Sequence, residues 1–474
     1  MKRKISIRLL AAMLATTCAC GDTVSTQTND TSASDADSTK EVVTEDPSII
    51  PPEATDAYKG RTYRIFNGYS DQTKYVTKDI YPEEITGDTL NDALRKRCTD
   101  TEDRLGIKIE VSDGNLTQIR NNIAAMDDFA DVTYVDLSSI MSLVTQGYCN
   151  DFYDIPNIDL SKVWWDQNAE RKLSIKGQLY YTFNDHIFTQ TENCRAVYFN
   201  KELADNLKLE NLYDAVRSGK WTLDLFESCA KQAVSDLNGD GNIDGNDRVG
   251  ILNWGYVGLG EALLTGSDAE IVKINDKGDP YFYCFTEQFQ NVYTRVHDLM
   301  TKDNFTLLGG DSLNIFMSDQ SLFWVDSIVS ASKLREIKTD FGILPAPKYD
   351  ENQESYWNVS PNAHAMIVPI TVKDLEFAGA AMEELAYQSH NTLLPAYYET
   401  VLKGKTTRDE DSIEMLDIIH NSISYVIKII GTEFSDAIYR EMENKNYSLS
   451  SMLESWKTKV ETQLESVLAQ FEHD

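Results

Sequence analysis

The sequence predicts an α/β protein in two lobes, and three observations carry that expectation. Segments with strand alternation are followed by segments with helical period, in the order strand, helix, strand, helix. That order pairs strands in parallel and covers the sheet with helices. Apolar content of 42% and aromatic content of 10% belong to a globular chain with a sizeable core. The stretch from Tyr58 to Asp474 is also longer than one ordinary domain, which suggests two lobes.

The elements follow in order. Arg61 to Asn67 (RTYRIFN) alternates and is rich in strand formers, and Gly68, Tyr69 and Ser70 form the loop after it. Thr89 to Leu105 reads as a helix with Leu90, Ala93, Leu94 and Leu105 on its apolar face, closed by Gly106. Ile107 to Val111 (IKIEV) is a second strand. Ala130 to Val135 (ADVTYV) is a third, ending at Asp136, with a helix over Ser138 to Gln146. Ligands of open parallel sheets collect at the carboxyl ends of strands. This geometry points to the loops at Tyr69 and at Asp136. A second block opens near Trp164 and Trp165, which we assign to packing. Gly177 to Tyr181 reads as a hairpin-like strand and Ala196 to Phe199 (AVYF) as another, with Asn200-Lys201 opening a helix. Ser321 to Val325 (SLFWV) and Phe341 to Leu344 (FGIL) are further strands, and the tail from Phe377 is mostly helical.

The amino terminus predicts where the protein works. Lys2, Arg3, Lys4 and Arg8 precede a short apolar run, Leu9 to Leu14, and then Thr17-Cys18-Ala19-Cys20-Gly21-Asp22. The apolar run falls far short of the ~20 residues needed to cross a bilayer, so it is a secretory signal. The cysteine after small residues resembles the lipobox of bacterial lipoproteins, whose cysteine thiol carries diacylglycerol. Ala19 favours Cys20 as that residue; Thr17 stands where the motif usually has Leu, which keeps Cys18 open. Residues 21–58 are dominated by Thr, Ser, Asp, Glu and Pro, too polar to offset their ordering entropy, and are expected to be a disordered stalk.

Charge and motifs exclude several functions. The formal charge is −32, and removing the signal would take away four basic residues. Nucleic acid and anionic membrane surfaces are therefore excluded as partners. Outside the signal region the cysteines are Cys98, Cys149, Cys194, Cys229 and Cys284, widely spaced and without CxxC, so neither a dense disulfide framework nor a structural zinc site is expected. The six histidines include no His-x-x-x-His pair, and there is no G-x-S-x-G, no GxxxxGK[ST] and no GxGxxG after a strand. A glycoside hydrolase needs only two unmarked carboxylates, so it remains as an alternative.

The order of segments is the most specific feature. Tyr180-Tyr181, then Ala196-Val197-Tyr198-Phe199-Asn200-Lys201, then Gly219-Lys220-Trp221-Thr222, then Asp340-Phe341-Gly342-Ile343-Leu344-Pro345-Ala346-Pro347-Lys348, together with the lipobox, resemble the extracellular solute-binding proteins (family 1 type) of carbohydrate ABC transporters. The resemblance covers most of the chain after the stalk. It implies a two-lobe periplasmic-binding-protein-like fold with hinge strands and a ligand cleft between the lobes. It also implies a monomer that delivers a carbohydrate to separate permease subunits and does no chemistry on it. A receptor of the same fold for peptides or another solute is a further alternative. On this reading residues 1–19 are the signal peptide, 20–57 the stalk, 58–185 with 328–388 the first lobe, and 186–327 with 389–474 the second.

Sugar sites combine aromatic platforms with carboxylates and amides. Trp254 lies between Asn253 and Gly255, Trp324 two residues before Asp326, and Trp357 between Tyr356 and Asn358. By the resemblance, Trp324-Val325-Asp326 falls near a hinge and Asp136 faces the same cleft. A single tryptophan is more often core than platform, yet at least one of the three is expected to touch ligand. The expected ligand-binding set is Tyr69, Asp136, Trp254, Trp324, Asp326 and Trp357.

The sharpest local motif is DLNGDGNIDGND, residues 236–247. It matches the calcium loop of EF-hands, with Asp236, Asn238, Asp240 and Asp244 at positions one, three, five and nine, and Gly241 at six for the sharp turn. Asn242 would serve through its backbone carbonyl. Asp247 stands at position twelve, where EF-hands usually carry Glu. A helix starting at the Thr222 cap leads in, with Leu223, Phe226, Ala230 and Ala233 on one face. One such loop in mid-chain is expected to be a structural Ca²⁺ site in the second lobe.

Overall fold

The computed structural model describes residues 56–68, 80–302, 304–334, 337–402, 410–430, 432–469 and 471. Cys18, Cys20, Tyr69 and residues 1–55 of the signal and stalk lie outside the described residues. The early strands are β1 (Thr62–Asn67), β2 (Lys108–Asp113) and β3 (Val132–Asp136). Then come β4 (Arg195–Asn200), β5 (Val249–Asn253), the short β6 (Val272–Ile274) and β7 (Pro280–Phe282), β8 (Thr306–Leu308) and β9 (Ser321–Ser327). The remaining strands are β10 (Phe341–Leu344), β11 (Asn358–Val359), β12 (His364–Ile367) and β13 (Ile423–Ser424).

Two main sheets organise the chain. The first has the order β12-β3-β1-β2. β1 runs parallel to β2 and β3, as the strand–helix order predicts, and β12 closes the edge antiparallel to β3. The second has the order β10-β4-β9-β5-β8, with β5 parallel to β9 and β8, and β4 antiparallel to β9 and β10. Helices cover these sheets, so the strand interiors are apolar and sealed: Tyr63, Ile65, Val132 and Tyr134 in the first, Ile251, Phe323 and Ile343 in the second are fully buried.

Local chemistry sets the helix ends. Asp88 caps the helix Thr89–Leu105 by accepting from the amides of Leu90 and Asn91, and Gly106 ends it at φ +67°, a left-handed position that glycine takes without strain. Thr222 caps the helix Leu223–Ala233 as expected, and Leu223, Phe226, Ala230 and Ala233 are its buried face. Two expectations are corrected. Gly177–Tyr181 forms no strand; Ile175 and Gln178 make a single antiparallel bridge. β10, assigned above to the first lobe, pairs with β4, so the chain returns to the first sheet after Leu344 rather than at residue 328. The five described cysteines are buried free thiols.

The two sheets are joined by polar, buried crossings. One runs from Thr182, bridged to Met366 beside the first sheet, to Arg195 at the start of β4. The other runs from Leu344 to His364. They are stitched together: the His364 amide donates to Thr189 Oγ1 (2.9 Å) and Ser360 Oγ to the Gln190 carbonyl (2.7 Å). The helix Leu375–Leu402 lies along Thr89–Leu105 on the first sheet's side, whereas Glu410–His420 packs on β10 of the second.

Candidate ligand-binding site

In the second sheet, β5 and β9 end at the same edge, and the antiparallel β4 brings its first residue there, Arg195 opposite Ser327. Three side chains with distinct chemistry gather at this edge. Asn253 fixes the turn after β5: its amide donates to the Val325 carbonyl (2.6 Å) and its oxygen accepts from Gly255 N–H (2.9 Å). Trp254 projects from that turn and is 48% exposed, the largest exposed aromatic surface among the described residues. Its indole rests on the first turn of the helix Tyr256–Gly266, where a Cβ on Gly258 would sit 2.6 Å from the ring. Only glycine at 258 leaves room for that packing.

Beneath Trp254 lies Arg195, its guanidinium carbon 5.9 Å from the ring centroid. Arg195 is buried; its Nη1 donates to Ser327 Oγ (2.6 Å) and lies 3.6 Å from Asp326 Oδ1, and its Nε has no hydrogen-bond partner among the described residues. Asp326 is half-buried at the strand end and accepts from the Ser327 amide (2.7 Å). Glu261, on the helix behind, is pushed up by burial while Arg195 and Lys428 pull it down, and burial wins. An aromatic face, a guanidinium and a carboxylate thus share one strand edge. That set can stack a C–H face and exchange hydrogen bonds with hydroxyls.

At the first sheet, Asp136 ends β3 opposite His364 and accepts from Ser138 N–H (2.8 Å) and Ser138 Oγ–H (2.6 Å), capping the helix Leu137–Val144. Gly68 follows β1, and a Cβ there would meet the Tyr134 carbonyl oxygen at 2.5 Å.

The structure therefore brings Trp254 and Asp326 together and puts Asp136 at the corresponding end of the other sheet. Trp357 stands elsewhere, before β11, with Lys172 Nζ 3.8 Å over its ring. Lys172 also lines a cavity of about 180 Å³ with Glu270, Lys273 and Tyr425. Burial raises the Glu270 carboxyl, but Lys172 and Lys273 outweigh it and hold it below the usual carboxylate range. Trp324 is corrected outright. It is 1% exposed, paired with Tyr198 in mid-sheet and packed on Phe316, so no ligand reaches it. Proximity to Asp326 in sequence misled, because only the last residues of a strand covered on both faces are accessible. Arg195 was missed, although a charge opening the apolar strand RAVYFN is a visible signal.

The 236–247 loop folds on itself. Gly239 and Gly241 take φ of +77° and +85°. Their amides donate to the Asp236 carboxylate at 2.6 and 2.9 Å. Asp247 is buried and held by the Leu237 and Asp244 amides (2.9 and 3.1 Å), chiefly the former, which draws its carboxyl below the usual range. Carboxylate oxygens of Asp236, Asp240 and Asp247 lie within 4.8 Å of one another. Asn238 and Asp244 accept from the amides of Asp240 and Asn246, and Ile243 packs against the core.

No protein-family model matches the sequence, and no curated protein matches it. Solved structures do. A protein from Arthrobacter globiformis that binds cyclic alpha-maltosyl-1,6-maltose matches with TM-score 0.58 at 12% identity, over 86% of this chain and 100% of that one. This is the fold of the two-lobe solute-binding proteins. A family 1 extracellular solute-binding protein from Bifidobacterium longum subsp. infantis matches the same fold with TM-score 0.53 at 14% identity, over 87% and 99% of the chains. A cyclo/maltodextrin-binding protein complexed with maltotetraose does so with TM-score 0.54 at 14% identity, over 87% and 96%. Asp136 ends β3 and Trp254 follows the last residue of β5, so each stands at a carboxyl end of a strand, the end at which open α/β sheets generally take their ligands.

Proposed function

We propose that this chain captures a carbohydrate, an oligosaccharide in our reading, in the cleft between its lobes and delivers it to the permease of an ABC importer without chemical change. The observation that carries the reading is the cluster of Trp254, Arg195 and Asp326 at a strand edge of a solute-binding fold. Solved proteins of this fold bind maltotetraose and cyclic alpha-maltosyl-1,6-maltose. The protein is held on the outer face of the cytoplasmic membrane by lipid on Cys20 and works as a monomer. The basic, apolar and small-residue order of the amino terminus supports the anchor, and among the described residues no helix is long and apolar enough to cross a membrane. Replacing Trp254 by alanine is expected to weaken the best-binding glycan about tenfold, about 1.4 kcal/mol, at unchanged melting temperature. Unchanged affinity would remove Trp254 from the site.

The loop at 236–247 is proposed to hold one structural Ca²⁺. Asp236, Asn238, Asp240, Asp244 and Asp247 would offer side-chain oxygens and Asn242 its carbonyl, toward the about 6–8 oxygens a calcium ion takes. The mutual approach of the Asp236, Asp240 and Asp247 carboxylates supports this. Their repulsion is relieved by a cation, so calcium should raise thermal stability. The double variant Asp236→Asn, Asp240→Asn should melt lower in calcium and ignore a chelator. A wild-type melting temperature that a chelator leaves unmoved would count against the metal.

A further inference from the structure

A cluster remote in sequence meets at the first crossing. Asp185 is 3% exposed within that segment. Its Oδ2 lies 2.6 Å from His390 Nδ1, on the helix Leu375–Leu402 of the first sheet's side. Its Oδ1 lies 3.4 Å from His420 Nε2, at the end of the helix Glu410–His420 that packs on the second sheet. His420 is tied to the crossing a second time, through Nδ1 to Thr191 Oγ1 at 3.0 Å. One buried carboxylate thus grips both sides of the molecule at the segment that joins them.

We propose that Asp185, His420 and His390 form a proton-dependent clamp on the crossing segment 182–194, closed while His420 carries its proton and loosened when it does not. The groups facing His420 support this. Asp185 belongs to the crossing, Asp166 to the turn before the helix Gln167–Leu173, and Asp417 to His420's own helix. Asp166 is itself bonded by the Tyr425 hydroxyl, and Tyr398 faces Asp417 and Asp185. Burial opposes charge on His420, but the hydrogen bond to Asp185 and the three carboxylates outweigh it, so the proton is held above the ordinary 6.5. Burial likewise opposes charge on Asp185, but His390 and His420 hold its carboxyl below the ordinary value. The proton has a route: a cavity of about 150 Å³ lined by Trp165, Asn184, Asp185, Gln190 and His420 adjoins the cluster, large and polar enough for water.

The sign follows from linkage. A histidine whose folded pKa is raised stabilises fully below its unfolded value and loses that contribution as pH rises through the folded value. The clamp therefore operates from above the lowered Asp185 pKa up to the raised His420 pKa. It does not depend on the identity of the ligand, because its readouts use the ligand-free chain. Hydrogen exchange of residues 182–194 in the intact protein, corrected for intrinsic rates, should lose protection between pH 6 and 8.5, about tenfold for each unit by which His420 is raised. His420→Gln should be equally labile at both values. Proton NMR of the wild type should show an imidazole titrating above 6.5, absent from His420→Gln. Protection that ignores pH, a shift that persists in His420→Gln, or no imidazole titrating above 6.5 in the wild type would overturn the clamp.

Discussion

Replacing Trp324 by alanine is expected to destabilise the fold by about 3–5 kcal/mol, the range for deleting a large aromatic from a packed core. The residue is 1% exposed between Tyr198 and Phe316, with ring centroids 5.1 and 5.7 Å away, in the central strand of a five-stranded sheet. Its indole N–H is buried without a hydrogen-bond partner among the described residues. Packing therefore carries the whole contribution, and Trp324→Phe, which keeps most of the volume and removes that stranded donor, should be mild. Urea titration of the two variants tests this directly. Equal, small losses would show that the site collapses around the gap; equal, large losses would show that the indole nitrogen matters.

The second large effect belongs to Glu383. Its two carboxylate oxygens accept from the adjacent indoles of Trp164 and Trp165 at 2.9 and 2.7 Å, and Oε2 also receives the Asp159 amide at 3.3 Å. Glu383→Leu would strand the two buried indole donors at about 1–3 kcal/mol each, a loss of roughly 2–6 kcal/mol. Burial is also the main force on the acid itself, pushing it up from 4.5 to about 7 against the pull of its donors. The folded state therefore binds this proton more tightly than the unfolded chain. Its contribution is complete below pH 4.5 and declines as pH rises to about 7. Glu383→Gln, which has no proton to lose, should flatten that part of the stability–pH curve. A wild-type curve without a fall in this window would mean that the carboxyl is solvated.

The sequence was most legible where local pattern and tertiary role coincide. The runs RTYRIFN, IKIEV and ADVTYV became the three parallel strands of the first sheet because their alternation and branched residues suit a pleated surface under helices. Thr222 and Gly106 marked helix ends because capping is local chemistry. Gly177–Tyr181 misled because alternation cannot supply a partner strand: Leu179 and Tyr181 are buried, but the segment turns at Gly177, bends at Tyr180 and has no ladder beside it. Trp254 and Trp324 look alike in sequence; strand length decides that one lies past an end and the other inside. Asp185, His390 and His420 could not be read at all, since three separate segments bring them together.

The proposed capture of a sugar without chemical change is tested most directly on the sugar itself. The soluble chain from Tyr58 should be titrated calorimetrically with a broad panel of glycans, and each sugar recovered afterwards. Saturable binding of an oligosaccharide recovered unchanged is the result predicted here. A cleaved sugar would make the protein a glycoside hydrolase, and no response across the panel would contradict a carbohydrate ligand.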